Sequence, residues 1–282
     1  MKTALYYRHL DETDQAAFDE LEVTLHSRGI DTVTVADGDS VDGCDYLFSI
    51  GGDGTLLSTV QFVRLDRPEA FPPVLGINFG HLGFLTTVGR ENLHGMVESL
   101  LNGEFSLEER TLLQMSGQCA TQAKGQPAAT RYALNEVFLH RTEEASLLRT
   151  EVSVDGQYVA TYAGDGVIVA TPTGSTAYSL SCGGPILTPD SRCLLITPIS
   201  AHTLTLRPII VPDTAVIRLC VADDCFLGTD SGRTVLHAGS ELTLTRAPFT
   251  VRLVRLGRQN FFTAIREKLS WGELIHRNEQ SI

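Results

Sequence analysis

Gly51, Gly52, Asp53, Gly54 and Thr55 stand between an apolar run that ends at Ile50 and a stretch of helical spacing. Glycines at this density permit backbone conformations closed to other residues and let a ligand approach the chain closely. Successive N–H groups in such a turn, backed by a helix N-terminus, make an anion site suited to phosphates. The acid in its midst needs a reason, because a carboxylate repels phosphate. Two chemical reasons fit: it takes a proton from an attacking hydroxyl, or it organises a metal ion. The plainer alternative is a turn whose aspartate only caps the helix.

A second segment, GDGVIVATPTGSTAYSLSCGGP, occupies residues 164–185. The hydroxyls of Thr173, Ser175, Thr176 and Ser179 both donate and accept, and Gly174, Gly183 and Gly184 let a ligand lie against the backbone. Tyr178 offers a flat face with one polar tip, which suits a base or a ribose. The bland reading is a Gly/Ser-rich surface hairpin. A third segment, LNEVFLHR, carries Asn135 and Glu136 in a strand-like run. Adjacent strand side chains point to opposite faces, so at most one of the pair is expected on the core side. Asn78, in GINFGHLGFL, could line a crevice at the carboxyl end of a parallel sheet. His81 and His202 have no triad or metal-like spacing around them and read as structural or ligand-lining.

Several chemistries are excluded. GxxxxGK[ST] is absent and no lysine lies near the glycines, so this is not a Walker loop. No G-x-G-x-x-G follows the first strand, so a Rossmann dehydrogenase is unsupported. The net charge of −12, from 22 basic and 34 acidic residues, opposes a nucleic-acid partner. No apolar run is long enough to span a bilayer, and the N-terminus lacks a secretory pattern. Six cysteines without a CxxC pair read as reduced thiols of a cytoplasmic protein.

The elements that must position these groups change in kind along the chain. TALYYR, DTVTV, DYLFSI and PPVLGINF read as strands. They alternate with helical spacing from about Asp14 to His26, in TLLSTVQFVRL and in ENLHGMVESLL, which implies parallel βαβ units. From about Gly103 to Leu256 strand signals dominate: TLLQMSG, RYALNEVFLHR, LRTEVSV, GVIVAT, CLLITPI, TAVIRLCV and LTLTRAPFTVRLVRL. Residues 116–130 read as a loose hairpin connection. FFTAIREKLSWG returns to helical periodicity. The expected organisation is an α/β domain at 1–103, joined by about 258–282, and a β-rich domain at 104–257.

In chain order these segments resemble the ATP-NAD kinase family. The stretches are GGDGT, GINFGHLGFL, LNEV, DGVIVATPTGSTAYSLSCGGPILTP, TPISAHTLTLRPIIV and NFFTAIREKLSWG. GGDG alone is shared with diacylglycerol and sphingosine kinases and with phosphofructokinases; the block at 165–189 is far more specific. The resemblance implies a parallel-sheet α/β domain, a sandwich-like β domain and a C-terminal helical segment packed back on the first. It implies a homo-oligomer, a tetramer or dimer, with NAD and ATP as substrates and Mg²⁺ accompanying ATP. By motif, Asp53 would accept the proton of the NAD 2′-hydroxyl, and Gly54 with its neighbours would contact phosphates or NAD. Asn135 and Glu136 would hold ribose hydroxyls, and Asp165 would reach the nicotinamide end. Thr176, Ala177, Tyr178, Ser179 and Ser181 would line the adenine and ribose pocket. No protein metal ligand is assigned. A GGDGT-type lipid kinase and a non-catalytic NAD(P)-binding sensor stay open as alternatives at this point.

Overall fold

The computed structural model describes residues 1–62, 71–80, 83–118, 131–230, 232–257 and 261–271. Its N-terminal part is built on four parallel strands: β1 (Lys2–Tyr6), β2 (Asp31–Val35), β3 (Tyr46–Ile50) and β4 (Val74–Asn78). They lie in the order β4-β3-β1-β2. The chain leaves β1 for β2 on one side and for β3 on the other, so the strand order reverses beside β3. Crevices at such reversals, outside the carboxyl ends of the strands, are where ligands bind in α/β sheets.

Helices cover both faces. Helix α1 (Glu12–Ser27) begins at Asp11, whose carboxylate accepts from the N–H groups of Thr13 and Asp14 at 2.8 Å each. Its apolar stripe, Phe18, Leu21 and Leu25, packs with Leu93, Met96, Val97 and Leu100 of α3 (Leu93–Asn102) on one face of the sheet. On the opposite face Leu56, Leu57 and Val60 of α2 (Asp53–Phe62) form a second cluster with Leu85 and Leu134. Helix α3 stops at Gly103, which takes a left-handed φ of 71° and so meets no Cβ penalty there.

Residues 104–257 are β-rich, as expected, but their strands do not form a separate sheet. After the short β5 (Val88–Gly89), the long β6 (Phe105–Gln118) pairs antiparallel with β17 (Glu241–Leu256). β17 also touches β4 in parallel at Leu253↔Val74. Through that strand the parallel core continues into β14 (Ile217–Val221), β9 (Leu148–Val154) and β10 (Gln157–Gly164). β7 (Arg131–Ala133) pairs with β6.

A second sheet of six strands runs β13-β12-β11-β8-β15-β16. These are β13 (Ile209–Pro212), β12 (Cys193–Ile199), β11 (Gly166–Ala170), β8 (Glu136–Arg141), β15 (Cys225–Thr229) and β16 (Gly232–Leu236). It faces the antiparallel half of the first sheet across a core that includes Leu113, Leu139, Val152, Val167, Leu194, Ile217, Leu219 and Leu244. This is the sandwich-like half. Strand β11 is buried along its whole length, which explains why GVIVA is apolar without alternation. The last helix, α5 (Phe261–Leu269), lies across a cleft from residues 83–87 of the first part.

The sequence reading differs from the structure at two points. RYALNEVFLHR is not one strand but β7 and β8 with a bend at Leu134 and Asn135 between them. Strands β10, β13, β15 and β16 carry signals too short or too polar to stand out. Most of the connection at 116–130, the last residues of TLLSTVQFVRL and His81 lie outside the described residues.

Close strand packing makes a stability prediction. A Cβ on Gly166 would sit 1.9 Å from the Leu139 carbonyl oxygen across the β8–β11 pair, whereas one on Gly232 would meet nothing within 4 Å. Overpacking of this kind costs about 1–3 kcal/mol. Gly166→Ala should therefore lower stability by that amount in a denaturant melt, with Gly232→Ala close to wild type.

Candidate active site

Asp53 opens helix α2 at the end of β3, where the Gly52 carbonyl accepts the first helical bonds, from Thr55 and Leu56. Gly51 has φ 138°, and a Cβ there would lie 2.4 Å from Thr55 Oγ1, so the turn requires glycine. Gly52 and Gly54 are exposed with open space where a Cβ would be. An anion can therefore approach the N-terminal N–H groups of α2 without a side chain in the way.

The Asp53 side chain does not cap its own helix. It reaches to the loop after β4 and accepts from three consecutive backbone N–H groups: Phe84 at 2.7 Å, Leu85 at 3.1 Å and Thr86 at 3.1 Å. The Thr86 hydroxyl adds a fourth bond at 3.1 Å. Gly83 has to be glycine for this, since a Cβ there would fall 1.9 Å from Asp53 Oδ1. Asn78 donates to Thr86 Oγ1 at 3.3 Å and accepts from Gly80 N–H at 2.8 Å, holding the same loop. Among the described residues Oδ2 accepts only the Phe84 bond, so that oxygen keeps acceptor capacity.

A second aspartate repeats the arrangement. Asp230, just after β15, accepts from Leu134 N–H at 2.5 Å and from Asn135 and Glu136 N–H at 3.0 Å each. That grip bends the chain between β7 and β8 and leaves both Asn135 and Glu136 buried, at 9% and 8% exposure. The pair does not alternate between faces, because Asn135 sits in the bend rather than in a strand. Burial, and then the neighbouring Asp230 carboxylate, push the Glu136 carboxyl up to about 8. Its Oε2 is buried without a hydrogen-bond partner among the described residues. Burial also raises Asp230, to about 6, against the opposing effect of its backbone bonds. A raised pKa favours the neutral acid, which can donate as well as accept.

The hydroxyl-rich segment is tied to this bend. Thr171 N–H donates to the Asn135 carbonyl at 2.9 Å and Thr171 Oγ1 to the Leu134 carbonyl at 2.5 Å. A Cβ on Gly174 would lie 2.2 Å from the Asn135 carbonyl oxygen, so the two stretches of backbone touch. Residues 173–176 form one turn of 3-10 helix, and Tyr178–Ser181 the single-turn α4. Ser175 and Ser179 are fully buried. Ser175 donates to the Pro172 carbonyl and accepts from Leu187 N–H, and Ser179 shares a 2.8 Å bond with Thr197. Thr176 bonds the Thr173 carbonyl. Thr176, Ala177 and Tyr178 are half-buried and Ser181 is exposed, with Tyr178 set edge-on to Phe138.

These parts are joined by packing. Leu56 and Leu57 of α2, Leu85 of the loop and Leu134 of the bend share one apolar cluster. A buried charge chain runs beside it. Arg255 donates to Glu108, Glu108 pairs with Arg110 at 2.9 Å, and Arg110 donates to Thr173 Oγ1 at 3.2 Å. Burial opposes the Glu108 carboxylate, but Arg110 and Arg255 outweigh it and hold its pKa below the ordinary 4.5. Arg255, Glu108, Arg110, the loop at 83–87 and α5 line a cleft of about 640 Å³.

Asp165 stands at the far end of β11 from Thr171, near enough to Tyr178 to join burial, Cys182 and Glu136 in raising its phenol. It precedes β11, pairs with Arg141 at 2.6 Å, and its pKa is lowered chiefly by that bond. Thr171 leaves the other end of the same strand, roughly 20 Å away at a strand's rise per residue. His202 is exposed, and its N–H bonds the Ala163 carbonyl. Among the described residues no cluster of three or more His, Cys, Asp or Glu side chains could cage a metal. No helix of the described residues is long and apolar enough to cross a membrane.

A two-part fold with a glycine-and-aspartate turn facing a hydroxyl-rich segment defines a nucleotide-handling class, and comparison with known proteins makes it specific. Residues 4–105 match the ATP-NAD kinase N-terminal domain and residues 134–256 the ATP-NAD kinase C-terminal domain. The chain is 40% identical over 233 residues to the NAD kinase of Christiangramia forsetii, covering 81% of this chain and 76% of that protein. It is 40% identical over 234 residues to that of Porphyromonas gingivalis strain W83, covering 82% and 77%. Yeast NADH kinase, solved with NADH, superposes with a TM-score of 0.88 at 23% identity, over 99% of this chain and 90% of that one. An Archaeoglobus fulgidus NAD kinase, solved with ATP, gives 0.77 at 24% identity, over 96% and 99%. The chain belongs to the ATP-NAD kinase family. It is an enzyme of that class, a kinase of NAD, and the lipid-kinase and sensor alternatives are not favoured.

The Glu136 carboxyl sets a pH dependence. Its folded pKa of about 8 lies above its ordinary 4.5, so the folded state holds the proton more tightly. Its stability contribution is complete below about 4.5 and is lost as pH rises through about 8. Thermal melts should show the midpoint falling across that window, and Glu136→Gln should flatten the fall. An unchanged slope would mean that Glu136 is ionised in the folded protein.

Proposed function

We propose that the chain transfers the γ-phosphoryl group of ATP to the adenosine-ribose 2′-hydroxyl of NAD, giving NADP and ADP, with Asp53 accepting the hydroxyl proton. The observation that carries this reading is the Asp53 carboxylate, fixed at a glycine-rich helix N-terminus with Oδ2 able to accept another bond. Phosphoryl transfer asks a protein for positioning and charge compensation rather than covalent work. Gly51, Gly52, Gly54 and Thr55 would shape the phosphate site, with Gly52 and Gly54 offering backbone N–H groups, since those of Gly51 and Thr55 donate to the Ile77 and Gly52 carbonyls.

Asn135 and the protonated Glu136 suit ribose hydroxyls, which need both a donor and an acceptor. Thr173, Thr176, Ala177 and Tyr178 are assigned the adenine and ribose wall, with the exposed Ser181 at its edge. Ser175 and Ser179 support that wall from behind through their internal bonds. Asp165 is assigned the nicotinamide end. Mg²⁺ enters with ATP, as part of the substrate. It is held chiefly by phosphate oxygens and water, with few protein ligands. In this reading the enzyme works in the cytoplasm as a homo-oligomer, tetramer or dimer. Its units are 1–103 with about 258–282, and 104–257.

The test is an endpoint assay with purified protein, NAD, ATP and Mg²⁺, reading NADP through an NADP-specific dehydrogenase. General-base assistance contributes about 10²–10⁴ in rate. Asp53→Asn should cut turnover by that order while NAD binding by calorimetry is kept. Full turnover in that variant would remove the proton-acceptor role. A folded wild type that binds NAD and forms no NADP would promote a sensor.

A further inference from the structure

Asp53 is not fixed by its loop alone, because the loop is itself held from behind. Arg255, near the end of β17, places Nη1 3.0 Å from the Leu85 carbonyl oxygen and Nη2 3.4 Å from that of Phe84. Its Nε donates to Glu108 Oε2 at 2.5 Å. The guanidinium is largely buried, with its side chain 13% exposed.

The Phe84 carbonyl and the Leu85 N–H belong to one peptide group, and the Leu85 carbonyl and the Thr86 N–H to the next. In each of these two peptides the N–H donates to Asp53 Oδ1 and the carbonyl accepts from Arg255. The N–H and C=O of a trans peptide point in opposite directions. The carboxylate and the guanidinium therefore sit at opposite edges of the same two peptide groups. A donor at the carbonyl polarises the N–H at the other end, and linked hydrogen bonds strengthen one another by roughly 10–30%. A planar guanidinium can span two successive carbonyls and a carboxylate at once, whereas an ammonium is a single point.

We propose that Arg255 is a positioning residue for Asp53, acting through the two peptide groups of residues 84–86. Glu108 is the anchor of this device. It lies diagonally across the β6–β17 pair from Arg255, whose direct partner is Ser106. The same carboxylate pairs with Arg110, whose Nη1 reaches Thr173 Oγ1, so one acid sets the loop behind Asp53 and the first turn of the hydroxyl-rich segment together. This inference rests on Asp53 being the proton acceptor.

The test is a double-mutant cycle on turnover, with Arg255→Lys, Asp53→Asn and the pair, KM for NAD and thermal midpoints measured alongside. Lysine keeps the charge and the partnership with Glu108 but cannot span both carbonyls. Misplacing a reacting group by about an ångström costs up to about 10²-fold. Arg255→Lys should lower kcat on the order of 10- to 100-fold with KM for NAD unchanged. In the Asp53→Asn background the same change should leave the residual rate unaltered, because residues acting as one unit are not additive. A wild-type kcat in Arg255→Lys, or an equal loss in both backgrounds, would overturn the proposal. A fully active Asp53→Asn protein is a separate outcome that removes the proton-acceptor reading, and this role of Arg255 with it. Should Arg255→Lys melt too early to assay, Arg255→Gln, which keeps an amide donor without spanning both carbonyls, carries the same two expectations.

Discussion

The Asp53 carboxylate grips three successive N–H groups of the loop after β4, and much of the site follows from that grip. A loop without regular structure has backbone donors with no strand or helix to satisfy them, and such donors are costly to bury unpaired. An anion that takes three at once solves this and becomes fixed in return. Charge-assisted bonds are the stronger kind, so the result is stiff. The carboxylate and the scaffold are one object here.

Asp230 does the same for Leu134, Asn135 and Glu136, and the two cradles meet through Leu56, Leu85 and Leu134 in a shared apolar cluster. The fold makes this juxtaposition possible. Parallel strands end at Asp53 and Asn78, while the six-stranded sheet ends at Glu136, Thr171 and Asp230. β17 links the two halves by pairing with both β4 and β6, and it carries Arg255 into the gap between them. A site at the junction of two packed layers can be held on all sides without a loop having to close over it.

What could be read from the sequence was local. The glycine turn, the parallel βαβ start, the apolar β11 and the hydroxyl-rich segment are each defined by neighbours in the chain, so residue type and spacing revealed them. The partners of Asp53 and Asp230 were hidden because they are 31–33 and 94–96 residues distant. Glu108, Arg110 and Arg255 gave no local signal, since the bond that joins Arg255 to Glu108 spans 147 residues. The bend at Asn135 was missed for the same reason: its cause is Asp230, and the local pattern reads as continuous strand. The inward turn of Ser175 and Ser179 was equally invisible, because Leu187 and Thr197 consume their bonds.

The central claim is that Asp53 and its loop are assembled before any nucleotide arrives. Amide hydrogen exchange on nucleotide-free protein tests it at the three N–H groups of Phe84, Leu85 and Thr86. The account predicts slow exchange in the wild type and much faster exchange in Asp53→Asn, with protection of β1 and β3 unchanged. Fast exchange at all three in the free wild type would contradict it, and would mean that the cradle forms only around bound substrate.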